Sequence, residues 1–518
     1  MSGAKKLLHN TILLTATSFL MRTVSVSFNV YLTNKIGADG IGLFQLIAAV
    51  YGMAITFASA GVRLASMRLI ADNLTEKKHS ERRLMSLCIG YSLLCGVFMA
   101  CVLSGFSDII GQKWICDTRS IPSLKVLSLS LPFISVSAAL GGYFTSVGKL
   151  VRYTAVQLCE QIFKIGVTVF SLKAVLSHGL EASCVAIVFG MTSAEIFSAF
   201  CSYILYLLST EKADITEKAS AITKKMLRIA LPDAIGAEMR SILMTVEHLL
   251  IPVGFRKSGS NPQTAMATYG TIHGMALPLV LYPSALLSSL SGLLVPEISA
   301  QHIVKNHTRI GYMTARVLHI TLIFSIGTAG VMYFTSGELA LAVYNNESVG
   351  FYTQVLSPLI PVMYMDMTID GILKGLDQQV SYMRYNIIDA CICVVFVYLL
   401  VPVFAVKGYI MVVFMSEIIN FFLSFRRLTM VSEVRVDLFR DIVIPVLCIV
   451  SAGCCKNIFF TLFPFDFGSK GAAAAGIIVC TGTYIMLLRI FTAINKEELL
   501  WARRLTTGKI KNHGSRGF

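Results

Sequence analysis

Fourteen apolar runs of spanning length, separated by short polar turns, constrain this 518-residue chain more than any other feature. They lie near 10–34, 41–62, 84–106, 122–146, 150–176, 183–208, 227–254, 268–295, 311–334, 353–374, 380–404, 408–427, 439–463 and 471–492. A run of about 20 apolar residues matches the hydrocarbon thickness of a bilayer. Within that thickness a helix satisfies all its own backbone hydrogen bonds, so each run is expected to be helical. The fold class that follows is an all-α polytopic membrane protein of about 14 transmembrane helices. Composition excludes the soluble alternative, because 55% of residues are hydrophobic and only 14% charged. The first run is too long for a signal-peptide core and is interrupted by Arg22, so it is expected to be retained as a span.

An even number of spans places both termini on one side. Assigning that side to the cytoplasm puts Arg63, Arg68, Lys77, Lys78, Arg82 and Arg83 inside, with Lys212, Lys218, Lys224, Lys225, Arg228, Arg426, Arg427, Arg435 and Arg440. Most of the 44 Lys and Arg residues then obey the positive-inside rule, and the expected location is the cell membrane, multi-pass, both termini cytoplasmic. The same spread over short loops explains the net charge of +15 without any nucleic-acid partner. The 13 cysteines fall mostly in apolar runs without structural-zinc spacing, and read as buried, reduced packing residues.

An internal repeat divides the chain. Val126-Leu127-Ser128, Pro132, Gly142, Tyr153 and Glu160 recur at one constant offset as Val355-Leu356-Ser357, Pro361, Gly371, Tyr382 and Asp389. Glu195-Ile196 and Phe200 in span six are echoed by Glu417-Ile418 and Phe422 in span twelve. The expected domains are an N-lobe over 1–210, a C-lobe over 211–429, two extra helices over 430–495 and a basic tail over 496–518, which could lie on the inner leaflet. Six spans per lobe give the lobes a common orientation, one of the repeat plans of secondary transporters.

Charges inside spans are costly unless they face protein or water, which makes them functional candidates. Arg22 lies mid-span on a polar stripe with Thr11, Thr15, Ser18, Ser25, Asn29 and Thr33. Met239-Arg240 repeats Met21-Arg22, and His273-Gly274-Met275-Ala276 repeats Tyr51-Gly52-Met53-Ala54. Asp233, Arg240 and Glu247 recur every seven residues in span seven, with Glu238 and His248 beside them. Glu160 and Lys164 stand one turn apart in span five, either as a structural ion pair or as a substrate contact. Asp366 and Asp370 share a face of span ten, an arrangement that tends to hold a proton or a cation. Pro132, Pro278, Pro283 and Pro361 permit bending of spans four, eight and ten.

The run from Lys35 through Gly37-Ala38-Asp39-Gly40-Ile41-Gly42 to Gln45, behind a span with a central arginine, resembles polysaccharide-type flippases of the multidrug/oligosaccharidyl-lipid/polysaccharide superfamily. Within it the chain is most similar to the stage V sporulation B type and, more distantly, to MurJ-type lipid II flippases. The resemblance implies a non-enzymatic transporter. It would move an undecaprenyl-pyrophosphate-linked cell-wall precursor or oligosaccharide from inner to outer leaflet by alternating access, for spore cortex peptidoglycan. Its partners are the lipid-linked precursor and membrane lipids, and no cofactor is implied beyond a coupling cation, sodium or proton, or the membrane potential. MurJ-type members line their cavity with arginines from the first, second and eighth helices; here the eighth span carries His273 and no arginine, and Arg63 lies near the inner end of the second. Their sodium ligands lie in the seventh, eleventh and twelfth helices, and Asp233, Asn386 and Asp389 occupy spans seven and eleven here. The substrate-binding candidates are thus Arg22, Arg240, Glu160, Lys164, Glu247 and His273, and the ion-coupling candidates Asp233, Asn386 and Asp389. Two alternatives stay open. A cation-coupled multidrug antiporter would rely on the intramembrane carboxylates, and a membrane glycan polymerase or ligase would need a sizeable outer loop, whereas the longest one expected here is the short 107–121.

Overall fold

The computed structural model describes residues 3–76, 80–209, 219–432, 437–462 and 468–491. The basic tail and the lysines at 77, 78, 212 and 218 lie outside the described residues. Among the described residues every regular element is a helix. In chain order they are α1 (Gly3–Ser59), α2 (Val62–Glu76), α3 (Glu81–Ile109), α4 (Ile121–Ser128), α5 (Leu131–Ser146), α6 (Leu150–Val175), α7 (Leu180–Leu207), α8 (Ala219–Lys257) and α9 (Pro262–Tyr269). There follow α10 (Leu277–Leu281), α11 (Ala285–Ile303), α12 (His307–Tyr344), α13 (Glu347–Leu356), α14 (Ile360–Gly375), α15 (Gln379–Val431), α16 (Ile444–Leu462) and α17 (Gly468–Ile490). Where they are described, the apolar runs read from the sequence fall largely on these helices. Among the described residues ten stretches are long and apolar enough to cross a membrane, or eleven if α4 and α5, bent by 48°, form one span.

Two long helices each contain two of the expected spans. The first is broken at Gly37, whose φ of 71° glycine adopts at little cost. The second is broken at Ala405, with φ 51°. The prolines mark breaks as well. Pro132 opens α5 just after the interruption at 129–130, and Pro361 opens α14 just after a tight turn at Ser357–Leu359. These breaks fall at matching positions of the repeat, because proline withholds the N–H that the preceding turn needs. Two left-handed residues also recur at the same offset, Cys116 with Asn345 and Gly148 with Asp377. The presumed outer loop at 107–121 is itself mostly wound, with Ile110–Ile115 and Thr118–Ser120 helical.

The chain forms two compact units. One comprises residues 1–30, 271–389 and 410–518; the other comprises 31–270 and 390–409. These units cut across the lobes expected from the repeat, since a repeat records duplicated segments whereas a compact unit records which helix faces pack. In the first unit α12 is central. Leu294 and Ile298 of α11, Val317 and Leu318 of α12, Ile369 and Leu373 of α14, and Leu428 of α15 form one core. A second core joins α12 to Ile449 and Ala452 of α16 and to Tyr484 and Leu488 of α17. The two helices outside the repeat are thus fastened to α12. Tyr484 donates to the carbonyl of Ile323 at 2.8 Å, Lys456 pairs with Glu338 and donates to the carbonyl of Phe334 at 2.7 Å, and His319 Nδ1 lies 2.6 Å from Asp441. In the second unit Ile70, Leu84, Tyr143, Phe144, Tyr153 and Tyr206 build a core among α2, α3, α5, α6 and α7. Along the other flank α8 runs against the second half of α1. Thr245 donates to the carbonyl of Ala49 at 3.1 Å, Thr56 bonds Ser241 at 3.3 Å, and Ala230 packs directly on Gly61.

No cysteine is in a disulfide. Cys88, Cys184, Cys393, Cys448 and Cys480 are buried, but Cys101, Cys116, Cys159, Cys391, Cys454 and Cys455 are exposed. The expectation of uniformly buried cysteines is corrected, since an apolar run supplies lipid-facing as well as core positions.

Candidate functional site

In the first unit the eighth span is discontinuous, and the residues that meet its breaks include Arg22. A helical turn of wide pitch at Gly270–Ala276 leads into α10, a tight turn at Tyr282–Ser284 follows, and α11 continues. Pro278 has no N–H for the carbonyl of Gly274; Asn29 Nδ2 supplies the donor instead, at 2.9 Å. Pro283 likewise cannot serve Leu279, whose carbonyl takes the amide of Tyr282. The carbonyl of Leu281 accepts from Arg22 Nη2 at 3.2 Å and from the Ser284 hydroxyl at 2.7 Å, and Arg22 Nη2 also reaches Ser284 Oγ at 3.2 Å. Thr23 Oγ1 lies 3.3 Å from the Tyr282 hydroxyl.

Arg22 is half-buried and has no carboxylate partner among the described residues. A guanidinium has five N–H donors, and among the described residues only those of Nη2 are engaged. The remaining donors and the full charge are available to an anion. The side chains of Thr11, Thr15 and Ser18, on the same stripe, lie outside what is described. His273 sits in the wide turn, half-buried and engaged by a partner.

The same unit gathers oxygen groups from three spans. Asp366 Oδ2 accepts from Asn420 Nδ2 at 2.9 Å, and Asp389 Oδ1 accepts from the Ser416 hydroxyl at 2.6 Å. Asp366 and Asp389 are electrostatic neighbours, Ser424 stands beside Asp366, and among the described residues Asn420 Oδ1 is buried without a hydrogen-bond partner. Beside its helix neighbour Asp370, Asp366 thus has partners across helices. Asn386 spends its side-chain amide on its own helix, at the carbonyl of Tyr382, 2.9 Å away. Among the described residues no three His, Cys, Asp or Glu side chains come together to hold a metal ion.

In the second unit α6 and α7 bring Glu160, Lys164 and Glu195 into one electrostatic group, with Ser198 donating to Glu160. The group is two carboxylates around one lysine rather than an isolated pair. Glu195 escapes a reading of span five alone, although its place in the repeat is a signal that could have found it. Tyr51, hydrogen-bonded to Ser130, faces the same two carboxylates from α1.

The seven-residue stripe on α8 does not form a network. Seven residues rise about 10.5 Å along a helix, so each group meets different neighbours. Asp233 lies toward Arg68, Glu247 toward Tyr269, and His248 Nδ1 is 3.0 Å from the Tyr269 hydroxyl. Arg240 is exposed with no ion pair or hydrogen bond among the described residues, so its sequence likeness to Arg22 does not extend to its surroundings. Glu238 is buried, and neither of its oxygens has a partner among the described residues. Asp233, Arg240 and Glu247 belong to the second unit, whereas Arg22, His273, Asn386 and Asp389 belong to the first.

The glycine motif after the first span has a structural basis. Asp39 accepts from Arg119 at 3.0 Å, and Asp117 shares that guanidinium. A Cβ on Gly42 would stand 2.3 Å from the carbonyl of Met266, and one on Gly270 would stand 2.1 Å from the carbonyl of Ala38.

A family model described as polysaccharide biosynthesis protein matches residues 7–300. Stage V sporulation protein B of Bacillus subtilis (strain 168) is 21% identical over 508 residues, 95% of this chain and 96% of that one. Sporulation protein YkvU of the same organism is 20% identical over 370 residues, 70% of this chain and 81% of its own length. Among solved structures, the lipid II flippase MurJ in its inward closed conformation superposes with a TM-score of 0.72 at 14% identity, covering 94% of this chain and all of that one. An inward-facing multidrug resistance transporter of the MATE family, MOP superfamily, gives a TM-score of 0.61 at 14% identity, with 79% and 95% covered. The multi-helix membrane fold of that superfamily is thus the fold of this chain.

Proposed function

The chain belongs to the polysaccharide biosynthesis protein family, and from that premise we propose that it is a flippase carrying a lipid-linked, pyrophosphate-bearing cell-wall precursor from the inner to the outer leaflet. The observation that carries the reading is Arg22, a mid-span guanidinium without a carboxylate partner among the described residues and with donors to spare. Taking a phosphate out of water requires such a charge-assisted, multi-pronged donor. Arg240, His273 and the Glu160, Lys164 and Glu195 group are further candidates for contact with the precursor, each taken within its own unit. A role in sporulation, in building cortex peptidoglycan, draws on the likeness to two sporulation proteins. Both termini are cytoplasmic, following the charge asymmetry. Coupling falls to a monovalent cation or proton at Asp389 with Asp366, since carboxylate, amide and hydroxyl oxygens are the donors present. Asp233 is a further coupling group, and Asn386, its amide spent on the carbonyl of Tyr382, has a supporting place.

The rival reading is a cation-coupled drug antiporter, favoured by the same buried acids. Cells carrying Arg22→Ala separate the two when outer-leaflet precursor and efflux of a cationic dye are measured together. The flippase reading expects precursor translocation to fall at least tenfold with the protein still inserted. Normal translocation in that variant overturns it, and unaltered or faster dye efflux with no precursor defect favours the antiporter.

A further inference from the structure

We propose that Tyr364 is a positioning residue for transport: its hydroxyl holds the break in the eighth span on which Arg22 is latched, so that an anionic head group drawing Arg22 away frees that span to bend. The part concerning the head group rests on the flippase reading; the part concerning Tyr364 stands without it.

Tyr364 is fully buried on α14, and its hydroxyl donates to the carbonyl of Val280 at 2.7 Å, with the backbone of Ser284 as its other polar neighbour. Those two groups, four residues apart, are the ones an uninterrupted helix would join directly. The tyrosine hydroxyl is therefore inserted into the helix ladder, one of the recognised causes of a kink. Its ring stacks on Phe324 at 6.2 Å, and Thr368, one turn on, meets Thr321 at 3.3 Å. The hydroxyl is thus presented from the packed face between α12 and α14, and the break is referenced to that core.

The latch lies one residue further on. The Leu281 carbonyl takes two side-chain donors, Arg22 and the Ser284 hydroxyl. When Arg22 turns to a phosphate, Ser284 still satisfies that carbonyl, while Tyr364 keeps Val280 and Ser284 apart. The break accordingly has two arrangements in which its carbonyls are met, which a hinge inside an apolar protein needs. Arg22 and Tyr364 are also electrostatic neighbours, so charge leaving this point is felt at the inserted hydroxyl.

The test is hydrogen–deuterium exchange of segment 277–288 in the full chain in lipid nanodiscs, with undecaprenyl pyrophosphate as the probe, alongside translocation in cells. In the wild type the probe should accelerate exchange in this segment at least tenfold. Tyr364→Phe, which keeps the ring and its stacking, should bind the probe within threefold of the wild type, lose the probe-induced acceleration and translocate at least tenfold more slowly. Ser284→Ala, which removes the second donor to Leu281, should likewise bind but translocate poorly. Normal translocation by Tyr364→Phe, or an undiminished probe response in it, overturns the proposal. So does a probe that binds the wild type without changing exchange. Should the wild type not bind the probe, the flippase reading fails, and probe-free exchange decides the hinge: a difference of at least fivefold between wild type and Tyr364→Phe in this segment upholds it, and equal exchange overturns it.

Discussion

Asn29 donates its side-chain amide to the carbonyl of Gly274, four residues before Pro278, which has no N–H to give it. A side chain of the first span thereby completes the backbone of the eighth. Removing it strands a carbonyl away from water, at a cost of about 1–3 kcal/mol. Asn29→Ala should therefore lower the thermal midpoint of the detergent-solubilised protein, and Asn29→Asp should lower it further, because an ionised carboxylate would face the carbonyl with no donor. An unchanged midpoint in both would mean that Gly274 finds another partner.

The crossing of Gly42 and Gly270 admits no side chain. Backbone oxygens lie 2.1–2.3 Å from where a Cβ would stand, and backbone cannot swing aside as a side-chain tip can. Gly42→Ala and Gly270→Ala should each reduce folded yield severely. Gly52→Ala, where nothing lies within 4 Å, should be neutral and serves as the control. Normal yield from Gly270→Ala would show that the crossing can spread.

Lys456, buried on α16, pairs with the half-buried Glu338 of α12. Removing one partner of a fully buried pair costs about 3–5 kcal/mol, and water reaching Glu338 lowers that cost here, whereas replacing both with apolar groups is often close to neutral. Lys456→Met and Glu338→Gln should each destabilise the protein, and Lys456→Met with Glu338→Met should recover most of the loss. A double variant no better than either single would place the stabilisation in the Lys456 bond to Phe334 rather than in the ion pair.

Two carboxylates share Lys164, so the three single substitutions should not be equivalent. Glu160→Gln leaves Glu195 to balance the lysine and should retain partial transport. Lys164→Met leaves two like charges facing each other and should be the most damaging of the set. Transport rates normalised to the amount of inserted protein give the ranking. A reversed order would make Lys164 a spectator.

What the sequence made legible was whatever repeats or carries a fixed local cost. Helical spans, the proline breaks and the matched interruptions at 129–130 and 357–359 all follow from local chemistry. Long-range pairings did not follow. That Asn29 would serve Gly274, or that Asn420 would serve Asp366, depends on how faces are docked, which no period in the chain encodes. Glu195 was visible as part of a repeat but not as a neighbour of Lys164, because that contact exists only once α7 lies against α6. Arg22 was legible as an anomaly; its task at Leu281 was not.

The fastening of α16 and α17 to α12 also bears on how far the two halves of the chain could ever be exchanged. Along α12, Gly327 and Gly330 leave hollows that Tyr484 and Ile449 fill, and Glu338 waits for Lys456. At the repeat offset the third span carries Phe98, Cys101 and Ile109, all of them exposed. One sister helix is upholstered for contact with lipid and the other is a socket cut for two lodgers. A chain built from two copies of the first half would have nowhere to seat its last two helices, and one built from two copies of the second would open a notched, half-charged seam to hydrocarbon.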